Sequence, residues 1–218
     1  MKKIALFFLT AVFFLVTLGS PVWAQDLYSI AVLPFEDGSI DEQWWGDYDV
    51  GTGVADEFVT ALLNLKPQKF RVMEREQIQK ILDEQEFGAS GLVDAGSAAQ
   101  IGKILGVQFL LMGRVTEFTN KTSGGSLSLG GKGLGLQTTT SRVAIDARLV
   151  DTTTAEIIVA AKGDSEKKQP SISIQYDWNT LDFSSEEFRS TNLGKALREA
   201  IDEVVKELAK KIDAYEPA

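Results

Sequence analysis

Residues 70–85 read FRVMEREQIQKILDEQ, and this stretch decides the fold class. Phe70 to Met73 has the character of a short buried strand, and it runs straight into a helix. Ile78, Ile81 and Leu82 recur at i, i+3 and i+4, while Glu74, Arg75, Glu76, Lys80, Asp83 and Glu84 take the wet side. Glu74 and Glu76 suit the positive end of a helix dipole and read as helix-start charges rather than as a catalytic carboxylate pair. Strand, immediate turn and amphipathic helix form one structural unit.

Working outward, residues 28–35 (YSIAVLPF) give a nearly continuous apolar run, as expected of a strand covered on both faces, with Pro34 at its end. Val54, Phe58, Leu62 and Leu65 at successive turns predict a helix over about 50–66, which Pro67 stops. Asp94 caps a further helix that Gly106 ends, and residues 107–118 form a long strand. Residues 141–150 and 155–162 are two more strands, joined by the turn at 151–154. In the first of these Val143, Ile145, Ala147 and Leu149 share a face, opposite Arg142, Asp146 and Arg148. A last helix, about 190–213, starts at Ser190 or Thr191 and buries Leu193, Leu197, Ile201, Val204, Val205, Leu208 and Ile212. The expected class is α+β, with helices packed on a mixed or mostly antiparallel sheet.

Composition removes several function classes. The net charge is −9, and no basic cluster is large enough to hold phosphates, so no nucleic-acid partner is expected. Cysteine and histidine are both absent, which excludes disulfides, thiol catalysis, the usual zinc sites and a Ser-His-Asp triad. No nucleophile and base can be paired from what remains, so catalytic residues, metal ligands and cofactors are all expected to be none. Gly51-Thr52-Gly53 at a helix start could bind an anion, but the rest of a nucleotide fingerprint is missing, and Lys132 in its glycine-rich surroundings fails the phosphate-loop spacing.

Residues 1–24 have the form of a secretory signal: Lys2-Lys3, an apolar stretch from Ile4 to Leu18, and Val22-Trp23-Ala24 before a cleavage point. Export from the cytoplasm is expected, leaving residues 25–218 as one domain. With no cysteine there is no residue for a lipid anchor.

Two stretches exceed what a compact domain needs. In residues 119–140, fourteen of 22 are Gly, Ser or Thr, while Leu127, Leu129, Leu134 and Leu136 alternate with small residues around Gly130-Gly131. Residues 163–189 contain Ile172, Ile174, Tyr176 and Trp178 on alternate positions. Apolar residues alternating with small ones and ending in aromatics are the pattern of a membrane β-barrel, although such strands need about 9–11 residues. A flexible loop followed by an ordinary hairpin fits the same residues. A third feature is the acidic loop EDGSIDEQWWGDYD at 36–49, in which at least one of the adjacent Trp44 and Trp45 must face a surface.

In order along the chain, IAVLPFED, WWGDYDVGTGVADEFVTALL, FRVMEREQIQKILDEQ, AAQIGKILGVQFLLMGRVTEF, VAIDARLVDTTTAEIIVAAKG and DFSSEEFRSTNLGKALREAI resemble the CsgG family over roughly residues 28–212. That family contains the curli production assembly/transport component. The resemblance implies a periplasmic domain that forms a homo-oligomeric ring at the outer membrane and passes secreted polypeptide, with accessory assembly proteins as further partners. It implies that the insertions at 119–140 and 163–189 are barrel hairpins, and that Trp44, Trp45 and Tyr48 occupy the loop that forms the constriction. A soluble periplasmic binding or regulatory module of the same domain type, without a pore, is the alternative, and the Trp loop then packs on the domain or against a neighbouring subunit.

Overall fold

The computed structural model describes residues 27–38, 49–73, 105–129, 132–170, 183 and 185–215; for 125–129 and 132–137 the description is of backbone only. Strand β1 (Tyr28–Val32) is followed by the short β2 (Glu36–Asp37), helix α1 (Val50–Asn64) and β3 (Phe70–Val72). Then come β4 (Phe109–Leu129), β5 (Lys132–Asp151), β6 (Ile157–Pro170), α2 (Glu186–Ser190) and α3 (Asn192–Ile212). The sheet order is β3-β1-β4-β5-β6, with β2 beside β4. Pairing is parallel from β3 through β1 to β4 and antiparallel from β4 to β6, so the sheet is mixed, as the α+β reading expects.

The β1 run is apolar throughout because both its faces are covered. Ile30 and Val32 join the main core with Phe58, Leu62, Phe109, Leu111, Leu197 and Ile201, while Ala31 and Leu33 join a smaller cluster with Leu105, Val107, Leu110 and Val150 on the other face. Helix α3 lies over β5 and β6, and α1 over β3 and β1. Every residue of the expected α3 stripe is buried, and Thr191 caps the helix by accepting from the Gly194 N–H at 3.0 Å. At the start of β4, Gly106 takes φ +64, the left-handed conformation that ends a helix. The helix expected over 74–87, and all of the following one but Leu105, lie outside the described residues.

Three boundaries differ from expectation. Strands β4 and β5 do not stop at Phe118 and Ser141; they continue as one antiparallel hairpin to Leu129 and from Lys132. Ladder hydrogen bonds need no core, so Thr- and Gly-rich chain can pair after the buried pattern has ended. Strand β6 likewise runs through to Pro170 instead of ending near 162. Its helix-facing positions there are Gly163 and Ser165, small because a Cβ on Gly163 would stand 2.0 Å from the Ala200 carbonyl oxygen of α3. Finally, Ser185 caps the short α2, and Phe183 and Phe188 fill the core with ring centroids 4.6 Å apart.

Candidate functional site

The feature that the core does not explain is the ribbon formed by the distal parts of β4 and β5. The last core residues on the two strands are the register partners Phe118 and Val143. A register shift between Val115 and Glu117 marks the point of departure, and β6 accompanies the ribbon as far as the Thr138–Pro170 pair. Beyond that, among the described residues, β4 and β5 continue as a pair.

Register assigns its faces. Leu127 stands directly opposite Leu134, and Leu129 and Leu136 lie one step to either side of that pair, on the same face. This face continues into the one bearing Lys121, Arg142, Asp146 and Lys162, the side of the sheet away from α3. The opposite face carries Gly124, Ser126, Ser128, Gly133, Gly135 and Gln137. The four leucines that the sequence singles out are thus brought together on one face of paired backbone, backed by small and polar residues. Ile172, Ile174, Tyr176 and Trp178 lie outside the described residues.

Polar side chains, which the apolar periodicity did not point to, fix the ribbon's base. Thr122 and Thr139 share a hydroxyl hydrogen bond of 2.9 Å, and Ser141 donates to Asn120 Oδ1 at 2.8 Å. At the end of the helical cover, Glu199 of α3 accepts from Ser165 Oγ at 2.8 Å and Lys167 Nζ at 2.5 Å. The Lys167 and Ser165 hydrogen bonds hold the Glu199 carboxyl below the usual range. Glu203 accepts from the Asp164 N–H at 3.2 Å, and Lys211 donates to the Ala160 carbonyl at 3.2 Å, so the helix occupies backbone groups on the free edge of β6.

The acidic loop begins at the same place. Register aligns Glu36, Arg114, Asp146 and Lys162 across four strands, with Arg114 Nη2 2.8 Å from Glu36 and Lys162 3.1 Å from Asp146. These exposed pairs are worth little individually, but the first holds β2 against β4. The Gly38 N–H donates to the Val115 carbonyl at 2.8 Å, next to the register shift, and the Phe35 N–H donates to the Gly51 carbonyl at 3.1 Å. Residues 39–48 therefore leave at the root of the ribbon and return to the start of α1. Trp44, Trp45 and Tyr48 themselves lie outside the described residues. At the returning end Asp49 caps α1, accepting from the Thr52 N–H at 2.9 Å and from Thr52 Oγ1 at 2.5 Å. Gly51 and Gly53 are required by contact, since a Cβ would meet the Phe35 oxygen at 1.9 Å or the Phe183 ring at 2.6 Å. The helix start that could have held an anion is filled by its own chain.

A groove of about 550 Å³ lies between α1 and α3, lined by Glu57, Ala61, Asn64, Arg198, Ile201 and Val205 among others. Glu57, a buried charge, is neutralised by Arg189, whose Nη2 stands at 2.8 Å.

The comparisons agree with the sequence resemblance. A family model described as curli production assembly/transport component CsgG matches residues 13–216. The chain belongs to the CsgG family. Among solved structures, this CsgG-family chain is similar to the hypothetical protein CT253 from Chlamydia trachomatis, at 14% identity and a TM-score of 0.49, covering 87% of this chain and 99% of that one. Lipoprotein GNA1162 from Neisseria meningitidis gives 14% identity and a TM-score of 0.43, with 86% and 99% covered. The PelC dodecamer from Paraburkholderia phytofirmans gives 13%, 0.39, 87% and 93%. No curated protein sequence matches the chain at a significant level.

Proposed function

We propose that this chain is an exported, ring-forming component of an outer-membrane secretion channel of the curli assembly/transport type, through which unfolded polypeptide passes. The β4–β5 ribbon supplies one hairpin of each copy's share of a closed barrel, and the stretch holding Ile172 to Trp178 supplies the other. The loop bearing Trp44, Trp45 and Tyr48 narrows the passage at the root of the barrel.

The observation that carries this reading is the ribbon. Residues 119–129 continue β4 for eleven positions past Phe118. At about 3.3 Å per residue and a tilt near 45°, that length covers about 25 Å, the height of the apolar band of an outer-membrane barrel. Toward its tip one face carries Leu127, Leu129, Leu134 and Leu136, together with Gly125 and Lys132, and the other carries Gly, Ser and Gln, an alternation of the kind a barrel wall uses. Family membership supports transport in preference to catalysis.

The competing reading is a soluble periplasmic binding or regulatory module of the same domain type, without a pore. Cell fractionation separates the two. The channel reading expects protein in the outer-membrane fraction, extracted by detergent as a stable oligomer that conducts ions across a planar bilayer. Recovery as a soluble periplasmic monomer would reject it.

A further inference from the structure

The sheet face away from α3 reads in rows, because register aligns residues of β4, β5 and β6 at each level. One row is Arg114, Asp146 and Lys162, joined by Glu36 of β2. Toward the ribbon's tip come Glu117 and Asp164 on either side of Ala144, then Arg142 and Glu166 beside Thr119. These rows mix both signs, and most of their charges pair within the face: Arg114 with Glu36, Lys162 with Asp146, and Arg142 with Glu117 at 3.3 Å. Charges of both signs, paired with one another, are the character of a surface in water.

The character then changes. The following row is Lys121, Thr140 and Lys168, basic only. Both lysines are exposed. Lys168 pairs with Glu166 one row back at 2.6 Å, whereas no ion pair among the described residues engages Lys121. Beyond them stand Ser123, Thr138 and Pro170, then Gly125 with Leu136 and Leu127 with Leu134, none of them charged. The next charge that register places on this face is Lys132, the partner of Leu129. An uncharged interval is thus bounded by lysine at both ends and by an acid at neither.

The interval has the size of a membrane. Leu129 lies eight positions beyond Lys121, which is about 26 Å of strand at about 3.3 Å per residue and about 19–22 Å of height at a barrel tilt of about 35–45°. Lysine stems extend along apolar surface and set their ammonium groups in the headgroup layer, which brings the height close to the apolar band of an outer-membrane barrel, about 25 Å. At those levels headgroup phosphates attract a lysine and repel an acid.

We propose that the Lys121–Thr140–Lys168 row marks the headgroup level on the domain side of the membrane, where Lys121 and Lys168 bind the phosphates of anionic phospholipid. This rests on the channel reading above, to which it adds the depth of insertion and the lipid chemistry that fixes it. Lys168 gives up little in turning to a phosphate, since an exposed pair such as Lys168–Glu166 is worth little.

The chain has no cysteine, so Thr119→Cys, Ser123→Cys and Leu127→Cys each give one thiol on this face, below, just above and well above the lysine row. Each variant is labelled with an environment-sensitive fluorophore and reconstituted into phosphatidylcholine vesicles with or without phosphatidylglycerol, and depth is read by quenching from lipids brominated at different acyl carbons. The expected result is an aqueous label at position 119, a shallow one at 123 and a deep one at 127. Lys121→Gln combined with Lys168→Gln should cut the preference for phosphatidylglycerol vesicles by about tenfold or more. A deep label at 127 with 119 also in lipid, or with 123 in water, overturns this boundary and leaves the channel reading standing. The expected depths without a preference for phosphatidylglycerol, or with one that survives both substitutions, overturn the headgroup contact. Aqueous labels at all three positions, in protein that is folded by circular dichroism, overturn the membrane reading and this proposal together.

Discussion

Tyr215 donates its phenolic proton to Asp151 Oδ2 across 2.6 Å, tying the end of α3 to the β5–β6 turn. The other carboxylate oxygen accepts from the N–H groups of Thr153 and Thr154 at 2.6 and 2.9 Å. Burial pushes the Asp151 carboxyl up, but the hydrogen bonds from Tyr215, Thr154 and Thr153 together outweigh it and hold the group below 3.8. The same carboxylate keeps the phenol protonated, pushing Tyr215 up to about 12.

Tyr215→Phe should therefore cost about 1.5–3 kcal/mol, the worth of a hydrogen bond to a charged group, with a signature at both ends of the pH scale. A depressed carboxyl stabilises the fold above its unfolded value, so the Asp151 contribution fades as pH falls below 3.8. A raised phenol stabilises it below its unfolded value of 10.0, and that contribution fades as pH rises toward about 12. Urea melts across pH should show a constant gap between wild type and variant at neutral pH that narrows at both extremes. A gap that widens on the alkaline side would contradict the assignment.

Arg189 makes a two-pronged contact with one oxygen of Glu57, Nε at 3.2 Å and Nη2 at 2.8 Å. The Glu57 side chain is 6% exposed and that of Arg189 33%. Removing the arginine strands a buried carboxylate, whereas removing both charges does not. Arg189→Ala should destabilise by about 2–4 kcal/mol, and Glu57→Gln on that background should recover much of the loss. Equal stability of the single and double variants by chemical denaturation would count against the pair.

Gly163→Ala tests how α3 is seated. The new methyl would meet the Ala200 carbonyl oxygen at 2.0 Å and Val204 Cγ2 at 3.0 Å, and the first of these is backbone that cannot rotate aside. A loss of about 1–3 kcal/mol is expected, readable as a lower thermal midpoint. A variant as stable as wild type would mean that the helix sits further from the strand.

What the sequence disclosed, and what it concealed, follows from burial. The α3 stripe and the Val143, Ile145, Ala147, Leu149 alternation were legible because a buried face imposes its own period. The ribbon beyond Phe118 has no such face, so Thr138, Thr139 and Thr140 read as loop although their backbones pair on both sides. Gly163 and Ser165 concealed the continuation of β6 because contact with α3 demands small residues there. The sequence reading did not single out Glu57; the available hint was its place three residues after Val54 and next to Phe58, on the buried stripe. The leucine alternation was visible from sequence, but its face could be assigned only from the register of Leu127 with Leu134.

Leu127→Arg places a charge on the face that the channel reading turns toward lipid. Near the bilayer midplane this costs about 2–4 kcal/mol per copy, and a ring repeats that cost in every subunit. The variant should be lost from the outer-membrane fraction while its circular dichroism and thermal midpoint stay near wild type, because the ribbon lies outside the core. Ser128→Arg, on the opposite face, is the control and should be tolerated. If both variants assemble in the membrane like wild type, the ribbon is not a lipid-facing element.

The loop at 39–48 is the last place where the channel reading can be tested. One end is held at the root of the ribbon, where the Gly38 N–H donates to the Val115 carbonyl, and the other enters α1, which Asp49 caps by accepting from the Thr52 N–H. An axial position would let Trp44, Trp45 and Tyr48 project into the passage from every copy, where large flat rings offer a moving chain apolar contact without sequence preference. Asp41, Glu42 and Asp47, in the same loop, would bias such a passage toward cations. Changing Trp44 and Trp45 together to Ala should raise single-channel conductance in a planar bilayer with the oligomer intact, and Asp41→Asn with Asp47→Asn should reduce cation selectivity without widening the pore. Unchanged conductance in the first variant, or loss of folding, would return the two tryptophans to a packing role on the domain or between subunits.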